Sequence, residues 1–101
     1  MLTEFSIVPL GVGSSLSDKL SIVLKIIDES GMSYKVNPMG TVVEGEWDDT
    51  MDLIKKCRDE LMKNEERVII SIKIDDRKSK TNRINEKVAS VERKLGKSLR
   101  K

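Results

Sequence analysis

The segment RVIISIKID, Arg67 to Asp75, places Val68, Ile70, Ile72 and Ile74 on one side of an extended chain and Ser71, Lys73 and Asp75 on the other. Alternation of this kind, in a run rich in β-branched side chains, predicts a strand with an unbroken apolar face. Such a face needs a second layer over it. The residues upstream supply one. Asp48 and Asp49 suit the first turn of a helix, and Met51, Ile54, Cys57 and Leu61 recur along it at helical spacing. Lys55, Lys56, Arg58 and Asp59 make its wet side.

Further upstream the same pattern repeats. Residues 41–46 (TVVEGE) read as a strand, with Gly45 marking a bulge or a close backbone approach. Pro38-Met39-Gly40 is a turn joining it to a short alternating strand at residues 33–37 (SYKVN). Before that, Leu20, Val23, Leu24 and Ile27 form an apolar helical face, which Ile22 and Ile26 widen enough for cover on two sides. Ser14, Ser15 or Ser17 can cap this helix, Asp18 suits its first turn, and Gly31 is placed to stop it. The first strand is residues 2–9 (LTEFSIVP), where Phe5, Ile7 and Pro9 alternate with Glu4, Ser6 and Val8. The loop from Gly11 to Ser15 has too few glycines in suitable places to cradle a phosphate.

This order predicts an α+β, ferredoxin-like βαββαβ sandwich: a four-stranded antiparallel sheet with two helices on one face. The lengths agree, since a helix of about 15 residues rises roughly 22 Å and a strand of about seven spans roughly 23 Å. The opposite sheet face would show Ser6, Val8, Ile69, Ser71 and Lys73. That mixture is too apolar for a plain wet surface and too polar for a core. A partner subunit or a ligand should cover part of it.

A polar linker at residues 77–83 leads to a third helix at about 83–95, ended by Gly96. Ile84, Val88, Val91 and Leu95 give it a narrow apolar seam, which must dock on its own sheet or on another subunit because so short a helix is marginal alone. Residues 1–76 are thus the ferredoxin-like body, and 77–101 are a basic linker, helix and tail belonging to the same single domain.

Apolar residues are 38% and charged residues 36% of the 101. The apolar share is low for a globular domain, which suits a thin fold that hides more surface in an oligomer, or a thermophile rich in ion pairs. The net charge of +2 hides an asymmetry: residues 1–76 hold nine Lys/Arg against fifteen Asp/Glu (−6), and residues 77–101 hold ten against two (+8). Attraction between basic tail and acidic body is the simplest use of it; a nucleic-acid or membrane footprint is the alternative. No signal peptide or membrane-spanning run is read, and one cysteine without a partner fits a reducing, cytoplasmic setting.

Histidine is absent, which removes histidine metal sites and imidazole proton transfer. Cys57 lies on an apolar stripe with no histidine to activate it, so a buried structural thiol is favoured over a nucleophile. Asp75 and Asp76, with Glu44 and Glu46, make a poor metal chelate, because neighbouring strand residues point to opposite faces. Pairing of the aspartates with Arg77, Lys78 or Lys73 is favoured. RNA-recognition domains share the βαββαβ topology but stack bases on strand aromatics. Here Phe5 has the phase of a core residue, and residues 67–75 hold no aromatic. Glu44, Gly45, Glu46 and Trp47 remain: a carboxylate beside the only tryptophan can hold a flat cationic or amine-bearing ring. A tryptophan that merely clamps the second helix is the simpler reading of the same residues.

Four segments occur in order: Ile7-Val8-Pro9-Leu10-Gly11, Pro38 to Glu46 (PMGTVVEGE), Lys73-Ile74-Asp75-Asp76-Arg77 and Lys87 to Glu92 (KVASVE). Together they resemble the small thiamine-binding protein family over about residues 1–95. The resemblance implies a ferredoxin-like fold that pairs through its sheets, often into a tetramer. It also implies binding of thiamine, or of its hydroxymethylpyrimidine portion, with no catalytic step; no cofactor or metal is expected. The matched positions suited to a pocket are Pro38, Met39, Gly40, Thr41 and Glu44, and Ser6 and Trp47 join them on chemistry. Glu44 would accept from the exocyclic amine, Ser6 and Thr41 would serve ring nitrogens, and Met39 would pack on a ring face. The expected function is a non-catalytic carrier, buffer or sensor that self-associates into a homodimer or homotetramer through the sheet face and C-terminal helix. The alternatives are a ligand-free interaction module and an RNA-binding domain.

Overall fold

The computed structural model describes residues 1–11, 16–78 and 83–99. Its elements are β1 (Leu2–Pro9), α1 (Leu16–Glu29), β2 (Ser33–Asn37), β3 (Gly40–Glu44), α2 (Trp47–Met62), β4 (Val68–Asp75) and α3 (Arg83–Leu95). The strands form one antiparallel sheet in the order β2-β3-β1-β4. This is the expected ferredoxin-like arrangement.

Register divides the side chains into two faces. Phe5 lies opposite Thr41 on one side and Ile72 on the other, and Thr3 lies opposite Val43 and Ile74. These residues share the face that α1 and α2 cover. Phe5, Ile7, Val23, Ile27, Val43, Leu53, Ile54, Cys57 and Leu61 are its buried core. The buried stripe of α2 is Thr50, Leu53, Ile54, Cys57 and Leu61, with Met51 at its rim. Leu53 escaped the sequence reading because Thr50, its polar neighbour one turn back, breaks the apolar period.

The caps follow the chemistry in part. Gly31 adopts φ 79° just past α1, and Gly96 adopts φ 73° past α3, both left-handed conformations that terminate helices cheaply only with glycine. Ser17 lies inside the first turn of α1 and is not its cap; Ser14 and Ser15 fall outside the described residues, as do Val12, Gly13, positions 79–82 and the last two of the basic tail. The third strand stops at Glu44, two residues short of expectation. Gly45 there donates its N–H to the Met1 carbonyl at 3.0 Å, and an added Cβ would collide with the Met32 methyl. A close approach, not a bulge, is what this glycine serves.

Two expectations are corrected. The first concerns the apolar face of β4. Val68 and Ile70 pack on the core, but Ile72 stays 44% exposed. β4 is an edge strand, and the helical layer sits over the central strands, so the face does not remain covered along its whole length.

The second concerns the opposite sheet face, expected to lack helices. Here α3 packs against β3 and β2 on the side of Glu44 and Val42, which is the side away from α1 and α2. Glu44 Oε1 accepts the Ile84 N–H at 3.4 Å, one of the first-turn donors that a helix cannot satisfy internally. Lys87 pairs with Asp75 at 2.9 Å, so basic tail and acidic body do meet. Ile84 and Val88 are half-buried, while Val91 and Leu95 remain exposed. The seam therefore docks by its first half only, and Ser6, Val8, Ile69, Ser71 and Lys73 lie beyond its cover.

Candidate ligand-binding site

The sheet has a notch. β1 pairs with β4 along its full length, from Leu2–Asp75 to Pro9–Val68. Its ladder with β3 ends at Phe5–Thr41, because the chain turns away at Pro38 and Met39 to form β2. From Ile7 onward, β1 has a strand neighbour on one side only. The N-terminal half of α1 roofs this gap on the helix side.

A cavity of about 310 Å³ fills the notch, at the small end of the usual range for ligand sites. Leu16, Leu20, Val23 and Leu24 of α1 give it an apolar wall, and Ser6, Asn37 and Thr41 bring polar groups. On the other sheet face a second hollow of about 300 Å³ is lined by Glu4, Ser71 and Lys73. Phe5, Ser6 and Met39 border both, so the two adjoin through the notch.

Each wall has a local cause. Gly40 lets β3 begin close against β1: a Cβ there would stand 3.2 Å from the Phe5 carbonyl oxygen, a backbone atom with little room to yield. The turn then holds Met39 almost wholly in solvent, 89% exposed, over the mouth. Thr41 is only 7% exposed, and its hydroxyl enters no hydrogen bond among the described residues. The buried hydroxyls left without a partner are those of Thr3 and Thr50; the Thr41 hydroxyl, on the wall of a cavity and free of protein partners among the described residues, suits a bound polar group.

The structure brings together Ser6, Pro38, Met39, Gly40 and Thr41 from the residues expected in a pocket. It does not bring Glu44 or Trp47 to them. Glu44 is three residues along β3 from Thr41, about 10 Å away, and an odd separation on a strand puts it on the opposite face. It serves the α3 N-terminus instead. Trp47 opens α2 and is about half exposed at the far end of β3. The residues missed by sequence reading are Leu16, Leu20, Val23 and Leu24, whose pattern announces core and whose use as cavity wall depends on where β3 stops.

Other candidates are placed as follows. Cys57 is fully buried, and burial pushes its thiol up to about 11, despite the opposing field of Lys56. Asp75 pairs with Lys87 at 2.9 Å. Among the described residues no group of three or more Cys, Asp or Glu is arranged to hold a metal ion. No helix among them is long and apolar enough to cross a membrane. Phe5, the one aromatic of β1, is buried on the helix side, so β1 and β4 offer no stacking platform on the opposite face.

Known proteins resemble this chain over most of its length. The family model described as "Thiamine-binding protein" matches residues 3–92. The UPF0045 protein MJ1052 of Methanocaldococcus jannaschii is 33% identical over 90% of this chain and 91% of its own length. The UPF0045 protein YqgV of Bacillus subtilis is 31% identical, covering 93% of this chain and 96% of that one. In the crystal, the M. jannaschii protein superposes with a TM-score of 0.81 over 89% of this chain and 93% of that one. A candidate thiamine biosynthesis/salvage protein of Thermotoga maritima superposes with a TM-score of 0.80 at 28% identity, over 89% of this chain and 96% of that one.

Proposed function

The chain belongs to the thiamine-binding protein family, and from that premise we propose that it binds thiamine, or the hydroxymethylpyrimidine part of it, reversibly in the notch beside β1. The observation that carries the reading is the cavity itself. An apolar wall from α1, an exposed methionine and the Thr41 hydroxyl, which has no protein partner among the described residues, converge where the sheet leaves a gap. A flat ring would lie between the α1 leucines and Met39, with Thr41 at its polar edge and Ser6 bordering the notch from the other sheet face. The thiazolium cation would be favoured by the acidic body, whose residues 1–76 sum to −6. In this reading Glu44 holds α3 and does not touch the ligand.

The same reading assigns no catalysis. Turnover needs a positioned base and nucleophile; the chain has no histidine, and its one thiol is buried with a raised pKa. A cytoplasmic carrier, buffer or sensor is the role that remains. Self-association is part of the proposal: Val91, Leu95 and Ile69 are large apolar side chains left exposed around the uncovered part of the second sheet face, and a second subunit would cover them.

Titration calorimetry and thermal-shift measurements with thiamine and with hydroxymethylpyrimidine test the ligand claim. Heat of binding and a raised melting temperature are expected. No heat and no shift with either compound at millimolar concentration would sink it.

A further inference from the structure

The main chain of Ile7 is a donor and an acceptor left open by the sheet. Antiparallel strands turn successive residues alternately toward their two neighbours. On β1 the parity is fixed at both ends. Met1 offers its carbonyl to Gly45, just past the end of β3, and Leu10 donates to Arg67, just before the start of β4, each at 3.0 Å. Odd residues therefore turn their main chain toward β3, and even residues toward β4. Thr3 and Phe5 lie opposite Val43 and Thr41, but the residue that would answer Ile7 is Met39, in the turn and outside the ladder. The Ile7 N–H and C=O point into the notch, whose wall includes Ile7.

We propose that this strand edge reads the ligand: the Ile7 N–H donates to a ring nitrogen and the Ile7 carbonyl accepts from an adjacent exocyclic amine. The ligand class is thus a flat nitrogen heterocycle bearing an amine beside a ring nitrogen, lying in the plane of the sheet as a substitute for the missing length of β3. This rests on the ring-binding reading above and gives it an orientation. Standard backbone dimensions set N and O of one extended residue about 3 Å apart, close to the spacing of such a ring edge. Thr41 and Ser6 line the same cavity. A peptide strand is a poorer occupant. The open edge holds one donor, since Pro9 has none, and the Pro38-Met39 turn closes the other end of the gap. A cavity of about 310 Å³ also suits one ring better than an added strand.

The test is amide hydrogen exchange by NMR on the full chain, alone and with hydroxymethylpyrimidine, alongside calorimetry with that compound and with its analogue carrying hydrogen in place of the amine. In the free protein the Ile7 amide should exchange fast, while those of Phe5 and Val8 are protected. Ligand should slow Ile7 at least about tenfold, and the analogue should bind about tenfold more weakly, the worth of one hydrogen bond near 1.4 kcal/mol. Protection of Ile7 in the free protein would overturn the inference by showing that a strand of this chain or of a second copy already pairs there. Binding that leaves Ile7 exchange unchanged, or an analogue of equal affinity, would overturn it while leaving the ring-binding reading intact. No heat from either compound would remove both.

Discussion

Thr41→Val separates what the residue does for folding from what it does for binding. The threonine is 93% buried (100 − 7), and its hydroxyl enters no hydrogen bond among the described residues. The buried hydroxyls left without a partner are those of Thr3 and Thr50, so the Thr41 hydroxyl keeps access to the cavity. Valine has nearly the same shape and suits a strand better. The free protein should therefore stay within roughly 0.5 kcal/mol of its stability, a melting-temperature shift of no more than about 4 °C for a domain of this size. Binding should fall. Losing one hydrogen bond to the ligand is worth about 0.5–1.5 kcal/mol, a drop in affinity of roughly 2–12-fold. Thermal denaturation with and without thiamine, and calorimetry, read the two effects separately. A variant that melts several degrees lower would show that the native hydroxyl is already bonded. Unchanged affinity would place it outside the site.

Glu44→Ala should do the reverse: it frees the α3 N-terminus and lowers stability by about 1 kcal/mol, while affinity for thiamine stays within about twofold; a large loss of binding would return Glu44 to the site. Cys57 gives a pH signature. Its folded thiol titrates at about 11 against an ordinary value of 9.0, so the unfolded chain releases its proton first. Its contribution to stability is full below pH 9 and falls as pH rises toward 11. Chemical denaturation from pH 8 to 11 should show this decline, and Cys57→Ala should flatten it; equal slopes for the two proteins would contradict the burial argument. Light scattering at micromolar concentration should report a dimer or larger assembly, and a monomer would refute the assignment of the exposed Val91, Leu95 and Ile69 to self-association.

Most of the fold was legible because its signals are periodic. Phe5 and Ile7, Val23 and Ile27, and Val68 and Ile70 declare their faces by spacing alone. What spacing cannot convey is where a neighbour ends. Ile72 has the phase of a core residue and is exposed because β4 is an edge strand; Val91 and Leu95 continue the seam of α3 past the surface that receives it. The candidate site shows the same division. Pro38 to Thr41 stood out as a turn and strand start, and the structure gathers them with Ser6. Glu44 was attractive for its charge, yet its odd distance from Thr41 already places the two on opposite faces. The Ile7 main chain left no trace in sequence, since every residue carries the same N–H and C=O. Only the register, with Pro9 at one end of the gap and Gly40 at the other, exposes it.

A crystal structure of the protein grown with thiamine tests the central claim most directly. The account predicts the aminopyrimidine ring in the notch, edge-on to Ile7 and between Met39 and the α1 leucines. Thiamine bound elsewhere, beside Glu44 and Trp47 for example, or a notch filled by protein from a second subunit, would contradict it.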